Sequence, residues 1–192
     1  MNSVVAGLAV LAEWTGDSAL KRAVADLPRH FAAAAKLDWR EFAADADEAE
    51  SIYVLGRGPG LAIANEAALK FKETTGIHAE AFSAAEVLHG PLAIVGTRFP
   101  ILALAARDAA EGSIAAVADE LVAKGAFVHI TSTLGTKAKP LPFVETGHAI
   151  TDALVLILPF YVFVEAWSRS RGHNPDAPAN LKKVTETRSV QN

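Results

Sequence analysis

The sequence predicts an α/β fold: a three-layer α/β/α sandwich with a mainly parallel sheet, preceded by several helices. Two patterns favour it. After residue 50, short apolar runs alternate with longer segments of helical periodicity, and a glycine-rich turn directly follows the first apolar run. Strands that alternate with helices pair in parallel, with helices covering both faces of the sheet. The 192 residues are 51% apolar, which suits one domain with a sizeable core.

The first 50 residues predict helices only. Apolar residues recur at helical spacing over residues 4–14, 17–36 and 39–49. Pro28 lies inside the second of these segments. Because proline lacks a backbone N–H, we expect an interruption of the helix there.

The later elements follow from short β-branched or aromatic runs and from the helical segments between them. The sequence IYVL at residues 52–55 predicts a buried strand, and GRGPG at residues 56–60 predicts a sharp turn into a helix over residues 61–75. Further strands are expected at residues 100–106, at residues 127–130 and near Phe143, with helices over residues 109–124 and 151–170.

The glycine-rich turn is a candidate anion site. Backbone N–H groups and the positive end of the following helix favour an anion, and Arg57 beside Gly58 could add a bidentate contact to substrate. GRGPG lacks the lysine of a P-loop and the full G-x-G-x-x-G spacing, so a plain strand-to-helix turn is an equal alternative. Ligands of parallel sheets bind beyond the carboxyl ends of the strands, where this turn lies.

The helix over residues 61–75 carries an unusual second polar face. At about 100° per residue, Glu66, Lys70 and Glu73 fall within an arc of roughly 60° between apolar neighbours. Two carboxylates around one ammonium can provide a proton-transferring base near neutral pH. Glu66 and Lys70 are equally an ordinary i, i+4 surface pair, worth a few tenths of a kcal/mol. We interpret the face as the lining of a cleft.

Two histidines, His78 and His89, follow this helix. Histidine moves protons at physiological pH, and His89 stands before a Gly-Pro pair, where a loop would present it. A lone histidine is more often a structural hydrogen-bonding group, and that alternative stays open for both. The sequence contains no H-E-x-x-H, no cysteine and no histidine pair at i, i+4, so we expect no metal site and no cofactor.

Composition argues against several other functions. The net charge of −4 and the pI near 5.9 argue against a nucleic-acid partner. The absence of cysteine excludes disulfides and a cysteine nucleophile for glutamine hydrolysis. The apolar run at residues 153–164 contains Pro159 and is shorter than the roughly 20 residues that span a membrane. No signal peptide is evident, so we expect a cytoplasmic protein without a membrane partner.

The segment GRGPGLAIANEAALKFKETTGIHAEAFSAAEVLHGPLA resembles the second sugar isomerase (SIS) domain of glucosamine-6-phosphate synthase and of its relatives that lack a glutaminase half. The later run NLKKVTE is similar to the tail that closes the site in that family. The resemblance covers about residues 45–189. It implies connector helices at residues 1–45, an SIS domain at residues 46–172 and a site-closing tail at residues 173–192.

The resemblance also implies catalytic roles. Glu73 corresponds to the base that carries a proton between C1 and C2 of a hexose phosphate, with Lys70 and Glu66 as supporting charges. His89 corresponds to a histidine implicated in opening the sugar ring. The family supplies that histidine from the neighbouring subunit, so a homodimer is expected.

The tail completes the implied site. Lys183 corresponds to the lysine that forms a Schiff base with the ketose, and Lys182 beside it leaves open which of the two faces the substrate. The family grips the phosphate with serine- and threonine-rich loops of a first SIS domain. The comparable stretch here is TSTLGT at residues 131–136, which is either an anion cradle or an ordinary polar loop.

These observations favour an enzyme of amino-sugar metabolism that interconverts fructose-6-phosphate and glucosamine-6-phosphate type substrates, in the aminotransferase or deaminase direction. The chain would hold half of a complete site and need the first SIS domain as a partner for activity. Two alternatives remain. One is a regulatory module of the same fold that binds a sugar phosphate without turnover, and the other is an assembly domain that dimerises a longer chain.

Overall fold

A five-stranded parallel sheet forms the centre of the structure, a computed structural model that describes residues 2–178 and residue 181. The order of the strands is β2-β1-β3-β4-β5, and every neighbouring pair is parallel. The strands are β1 Ser51–Gly56, β2 His78–Ser83, β3 Pro100–Ala103, β4 Phe127–Ile130 and β5 Lys139–Pro140. The α/β fold with a parallel sheet is therefore confirmed.

Seven α-helices accompany the sheet in the described part of the chain. They are α1 Asn2–Thr15, α2 Ser18–Ala25, α3 Leu27–Ala34, α4 Arg40–Ala46, α5 Pro59–Lys70, α6 Glu111–Ala123 and α7 Ala149–Ser170. Asp17 caps α2 by accepting hydrogen bonds from the backbone N–H groups of Ala19 and Leu20. The break between α2 and α3 falls at Asp26, two residues before Pro28, as the missing proline N–H predicts.

The two faces of the sheet bury different layers of helices. In β1, Ile52 and Val54 pack into a core with α4, α5 and α7, whereas Tyr53 and Leu55 pack into a core with α6. This alternation follows from the period of two in a strand, and it requires β1 to be apolar on both faces. The result is the expected three-layer arrangement.

The helix α7 is a core helix despite its length and apolarity. By those two properties alone it could cross a membrane, but 61% of its most apolar window is buried inside the fold. Phe160, Phe163 and Trp167 on this helix pack around Phe71, which is itself fully buried. The helix continues through Pro159 without a break.

The structure corrects two strand predictions. The expected strand near Phe143 lies instead at Lys139–Pro140, because Phe143 packs its ring 3.9 Å from the Arg107 guanidinium rather than extending the sheet. The strand β2 was not expected, because its residues alternate weakly. Only Ala79 among them is fully buried, and β2 lies at the edge of the sheet.

Candidate active site

The C-terminal end of α5 departs from regular α-helical geometry. A π-helical turn at Phe71–Thr75 continues the helix from Lys70, and such turns disturb the regular i, i+4 hydrogen bonds. Thr74 Oγ1 donates to the Lys70 carbonyl at 2.7 Å, and Thr75 Oγ1 donates to the Phe71 carbonyl at 2.7 Å. Two threonine side chains therefore satisfy carbonyl groups within the turn.

Glu66, Lys70 and Glu73 lie together on α5 and the π-helical turn, and we call these three residues the charged cluster. Lys70 Nζ lies 2.6 Å from Glu73 Oε2 and 3.7 Å from Glu66 Oε1. The side chains of Glu66, Lys70 and Glu73 are 35%, 30% and 29% exposed. The cluster is therefore half-buried, and its shorter contact joins the lysine to the predicted base.

The electrostatics of the charged cluster separate the roles of its members. The hydrogen bond with Glu73 raises the pKa of Lys70, partial burial opposes this, and the charge of Glu66 adds to the rise. Lys70 therefore stays protonated near neutral pH and acts as a fixed positive charge rather than as a base. The cluster therefore holds two carboxylates around one ammonium.

Two hydroxyl groups of α7 hold the cluster in place. Tyr161 Oη donates to Glu66 Oε1 at 2.7 Å, and Ser168 Oγ donates to the Thr74 carbonyl at 2.7 Å. Burial raises the pKa of Tyr161, and the hydrogen bond to Glu66 raises it further, so the phenol keeps its proton and remains a donor. Sequence patterns missed both contacts, because they join residues 95 and 94 positions apart.

The charged cluster lies toward the amino end of the sheet. The π-helical turn ends three residues before His78, which pairs with Ser51 at the start of β1. The cluster does not share the edge of the sheet on which the glycine-rich turn lies, because α5 follows β1 and returns alongside it. The 12 residues of α5 span about 18 Å from the glycine-rich turn to Lys70 of the cluster.

The glycine-rich turn lies at the opposite, carboxyl edge of the sheet. Gly58 has a φ of +54°, a left-handed conformation that favours glycine. Arg57 is exposed and donates to Ser113 Oγ at 3.2 Å. Asp108 Oδ2 lies 3.6 Å from the place that a Cβ on Gly58 would occupy, so an acidic side chain borders the turn. This carboxylate repels an anion, and it weakens the interpretation of the turn as an anion site.

His89 lies at the same carboxyl edge. It is exposed and precedes the 3-10 helix Gly90–Ile94, whose Pro91 carbonyl accepts a hydrogen bond from Tyr53 Oη at 3.0 Å. Since His89 follows the end of β2 and Glu73 precedes its start, one chain does not bring the two residues together. His78 instead forms a hydrogen bond of 3.2 Å between its Nδ1 and Ser51 Oγ. This contact fits the structural alternative for His78, a hydrogen-bonding group rather than a catalytic one.

The tail begins beside the charged cluster. The backbone N–H of His173 donates to the Ser168 carbonyl at 3.0 Å, and His173 Cε1 lies 3.7 Å from the place that a Cβ on Gly76 would occupy. Gly76 directly follows the π-helical turn. The predicted tail residues Lys182 and Lys183 lie outside the described residues.

The serine- and threonine-rich loop does cradle an anion, but that anion is a side chain of the same chain. Glu111 Oε1 accepts from the Thr133 backbone N–H at 2.6 Å, from Ser132 Oγ at 2.8 Å and from Thr133 Oγ1 at 2.9 Å. Burial raises the pKa of Glu111, and these hydrogen bonds outweigh that effect and lower it. The donors that a phosphate would use are therefore occupied.

A cavity of about 680 Å³ opens near the amino ends of β1 and β3. Its charged lining residues are mainly acidic: Asp45, Asp47, Glu48 and Glu50, with Arg98 as the one base. None of the predicted site residues within the described part of the chain lines this cavity. The charged cluster lies instead on a partly open face of the domain, where the chemistry rather than the size of a cavity marks the candidate site.

Residues 47–158 match the family model described as SIS domain. The chain belongs to the SIS domain family. The matched residues contain the whole sheet, the charged cluster and most of the first half of α7. The tail and the helices α1 to α4 lie outside the SIS match.

Relatives of this SIS domain include glutamine–fructose-6-phosphate aminotransferase (isomerizing) of Caulobacter vibrioides, which is 35% identical over 172 residues. The match covers 85% of this chain and 28% of the relative, so the chain spans about a quarter of that protein's length. The chain is therefore similar to one part of a larger enzyme.

Solved structures agree with the SIS assignment. A protein from Silicibacter pomeroyi, named as a candidate phosphosugar isomerase, is 50% identical with a TM-score of 0.86, and the match covers 91% of this chain and 53% of that one. The C-terminal domain of glucosamine-fructose-6-phosphate aminotransferase from Francisella tularensis has the same fold, with a TM-score of 0.68 at 24% identity over 85% of this chain and 47% of that one.

Proposed function

We propose that this chain is one half of a phosphosugar isomerase site of amino-sugar metabolism, in which Glu73 carries a proton between C1 and C2 of a hexose phosphate. The observation that carries the proposal is the charged cluster, in which Lys70 Nζ lies 2.6 Å from Glu73 and 3.7 Å from Glu66. A surface ion pair would need one carboxylate, whereas this cluster holds two partly buried carboxylates around one ammonium.

The proposed reaction fits the chemistry of these groups. A ketose becomes an aldose when a proton leaves C1 and a proton is returned to C2 through an enediolate. A carboxylate can perform both transfers, because it accepts the proton at one carbon and donates it at the next. The ammonium of Lys70 stabilises the negative charge that develops on the enediolate oxygens. The reaction needs no metal and no cofactor.

The remaining site residues enter the proposal from other segments. Lys183 of the tail, with Lys182 beside it, forms a Schiff base at C2 of the ketose with loss of water, and ammonia then displaces the lysine amine from that carbon. The start of the tail at His173 lies next to the π-helical turn. His89 opens the sugar ring from the second subunit of a homodimer, which would overcome its separation from Glu73 within one chain. Arg57 and Gly58 contact the substrate only in that assembly.

A first SIS domain is the proposed partner, because it would provide the phosphate grip. In this chain the comparable loop at residues 131–136 already binds Glu111. We retain the division into connector helices at residues 1–45, an SIS domain at residues 46–172 and a tail at residues 173–192. The substrate would be a hexose phosphate, and the site of action the cytoplasm.

The test uses a chimera. This chain would replace the matching portion of the Silicibacter pomeroyi protein, to which it is 50% identical, so that the uncovered remainder provides the other half of the site. The chain alone and the chimera would each receive fructose-6-phosphate with ammonia, or glucosamine-6-phosphate. Interconversion and free ammonia would both be measured.

We expect turnover by the chimera and little by the chain alone. Glu73→Gln should lower kcat by about 100-fold or more, because it removes the base. Glu120→Gln, an exposed position on α6, is the matched control and should leave kcat unchanged. Full turnover by Glu73→Gln would show that the base is wrongly assigned. Substrate binding without interconversion in either direction would indicate a regulatory module instead.

A further inference from the structure

We infer that Tyr161 is a positioning residue of the proposed isomerase site, which fixes Glu66 and through it the place of the Lys70 ammonium beside Glu73. The inference rests on the proposed function. It adds to the site a residue of α7, a helix that contributes no other member of the charged cluster.

Among the described residues, Tyr161 makes the only hydrogen bond from α7 to a side chain of the cluster. Its hydroxyl donates to Glu66 Oε1 at 2.7 Å, and the same oxygen lies 3.7 Å from Lys70 Nζ. Lys70 Nζ in turn lies 2.6 Å from Glu73 Oε2. The four side chains therefore form one continuous polar chain, which begins on the core helix and ends at the base.

The hydrogen bond from Tyr161 restricts the side-chain conformations that Glu66 can adopt. An i, i+4 pair between partly exposed side chains is weak, because both long side chains must be held in one geometry. A tyrosine has few rotatable bonds, and Tyr161 is partly buried on α7 beside Phe160. Its hydroxyl therefore provides a fixed donor, which selects one position of the Glu66 carboxylate.

The protonation state of the phenol supports this role. Burial first, and then the hydrogen bond to Glu66 and the charges of Glu66 and Glu73, raise the pKa of Tyr161. The hydroxyl therefore donates to the Glu66 carboxylate on α5, and the charge of Glu73 on the π-helical turn also acts on it. Across the working range of an enzyme the phenol is a donor and does not itself exchange the proton of the reaction.

A double-mutant cycle in the chimera tests the inference. The variants are Tyr161→Phe, Glu66→Gln and the double variant, with kcat and KM measured for each. Tyr161→Phe keeps the ring and removes the hydroxyl, so we expect kcat to fall about ten-fold, the loss typical of a hydrogen bond to a charged group, while KM changes by less than about two-fold. In the Glu66→Gln background the same substitution should have almost no further effect, because Tyr161 acts through Glu66.

Two controls separate a positioning role from a structural one. Ser170→Ala removes another hydroxyl of α7, which donates to the Trp167 carbonyl, and it should leave kcat unchanged. Thermal unfolding of Tyr161→Phe should show that the fold is intact. Additive effects of Tyr161→Phe and Glu66→Gln, or full kcat in Tyr161→Phe, would overturn the inference while the proposed function stands. An inactive chimera, or an active Glu73→Gln, would overturn the proposed function itself and the inference with it.

Discussion

Replacing Gly56 with alanine tests the close approach between the end of β1 and the first turn of α5. This approach sets the direction of α5, the helix that carries the charged cluster. A Cβ on Gly56 would lie 2.5 Å from the Gly60 carbonyl oxygen, 2.7 Å from the Gly60 carbonyl carbon and 2.9 Å from Leu61 Cα. All three are backbone atoms in the first turn of α5. Favourable contacts between such atoms begin near 3.5 Å, so the backbone must shift by about 0.6–1 Å.

The expected loss of stability in Gly56→Ala follows from the rigidity of these backbone atoms. Overpacking that forces a backbone shift costs about 1–3 kcal/mol of the free energy of unfolding. In a chain of this size each kcal/mol lowers Tm by about 2–4 °C, so Gly56→Ala should lower Tm by about 2–12 °C. The assay is thermal unfolding followed by far-ultraviolet circular dichroism, with urea unfolding as a second measurement.

Gly7→Ala is the matched control for Gly56→Ala. Gly7 lies in α1, and no atom lies within 4 Å of the place that its Cβ would occupy. The same substitution there should raise stability by about 0.5–1 kcal/mol, because alanine loses less backbone freedom than glycine on entering a helix. A Tm of Gly56→Ala equal to or above that of the unchanged chain would refute the argument from close approach.

Two further predictions concern stability as a function of pH. The pKa of Glu111 is lowered in the fold, so Glu111 stabilises the fold fully above the ordinary value of 4.5 and loses this effect as the pH falls through the lower folded value. Glu111→Gln should lower the free energy of unfolding by about 1–3 kcal/mol at pH 7. The difference in urea midpoint between this variant and the unchanged chain should shrink in acid. Burial lowers the pKa of His129, against the hydrogen bond to Asp45, so the folded chain loses stability as the pH falls below the ordinary value of 6.5. His129→Gln should flatten that loss in urea unfolding between about pH 5 and pH 8, and an unchanged slope would contradict the assignment of this buried ring.

Sequence patterns predict the elements that are long or strongly apolar. The strand at residues 52–55 was recognisable as a short apolar run before a glycine-rich turn, and the helix α6 by the helical spacing of its apolar residues. The edge strand β2 was not, because Ala79 and Ala81 carry too little apolar surface to mark an inward face. The π-helical turn was equally hidden, since its composition does not differ from that of an α-helix.

The charged cluster was predictable because its three residues share one helix, and their spacing alone brings them together. Tyr161 was not, since its contact depends on how α7 crosses α5, which no local pattern contains. The position of the cluster relative to the sheet likewise depends on the course of the chain. A rule about the carboxyl ends of strands applies to loops, whereas Glu73 lies at the far end of a returning helix.

The exposed face of the charged cluster would have to be shielded from water in a working site. Proton transfer through an enediolate competes with solvent unless water is excluded. About a third of each cluster side chain is exposed, and α7 covers one side of the cluster through Tyr161. The tail starts beside the π-helical turn, and the ten residues from His173 to Lys183 could span at most about 35 Å. That length is sufficient for the proposed Schiff-base lysine to reach the charged cluster, as the proposed function requires.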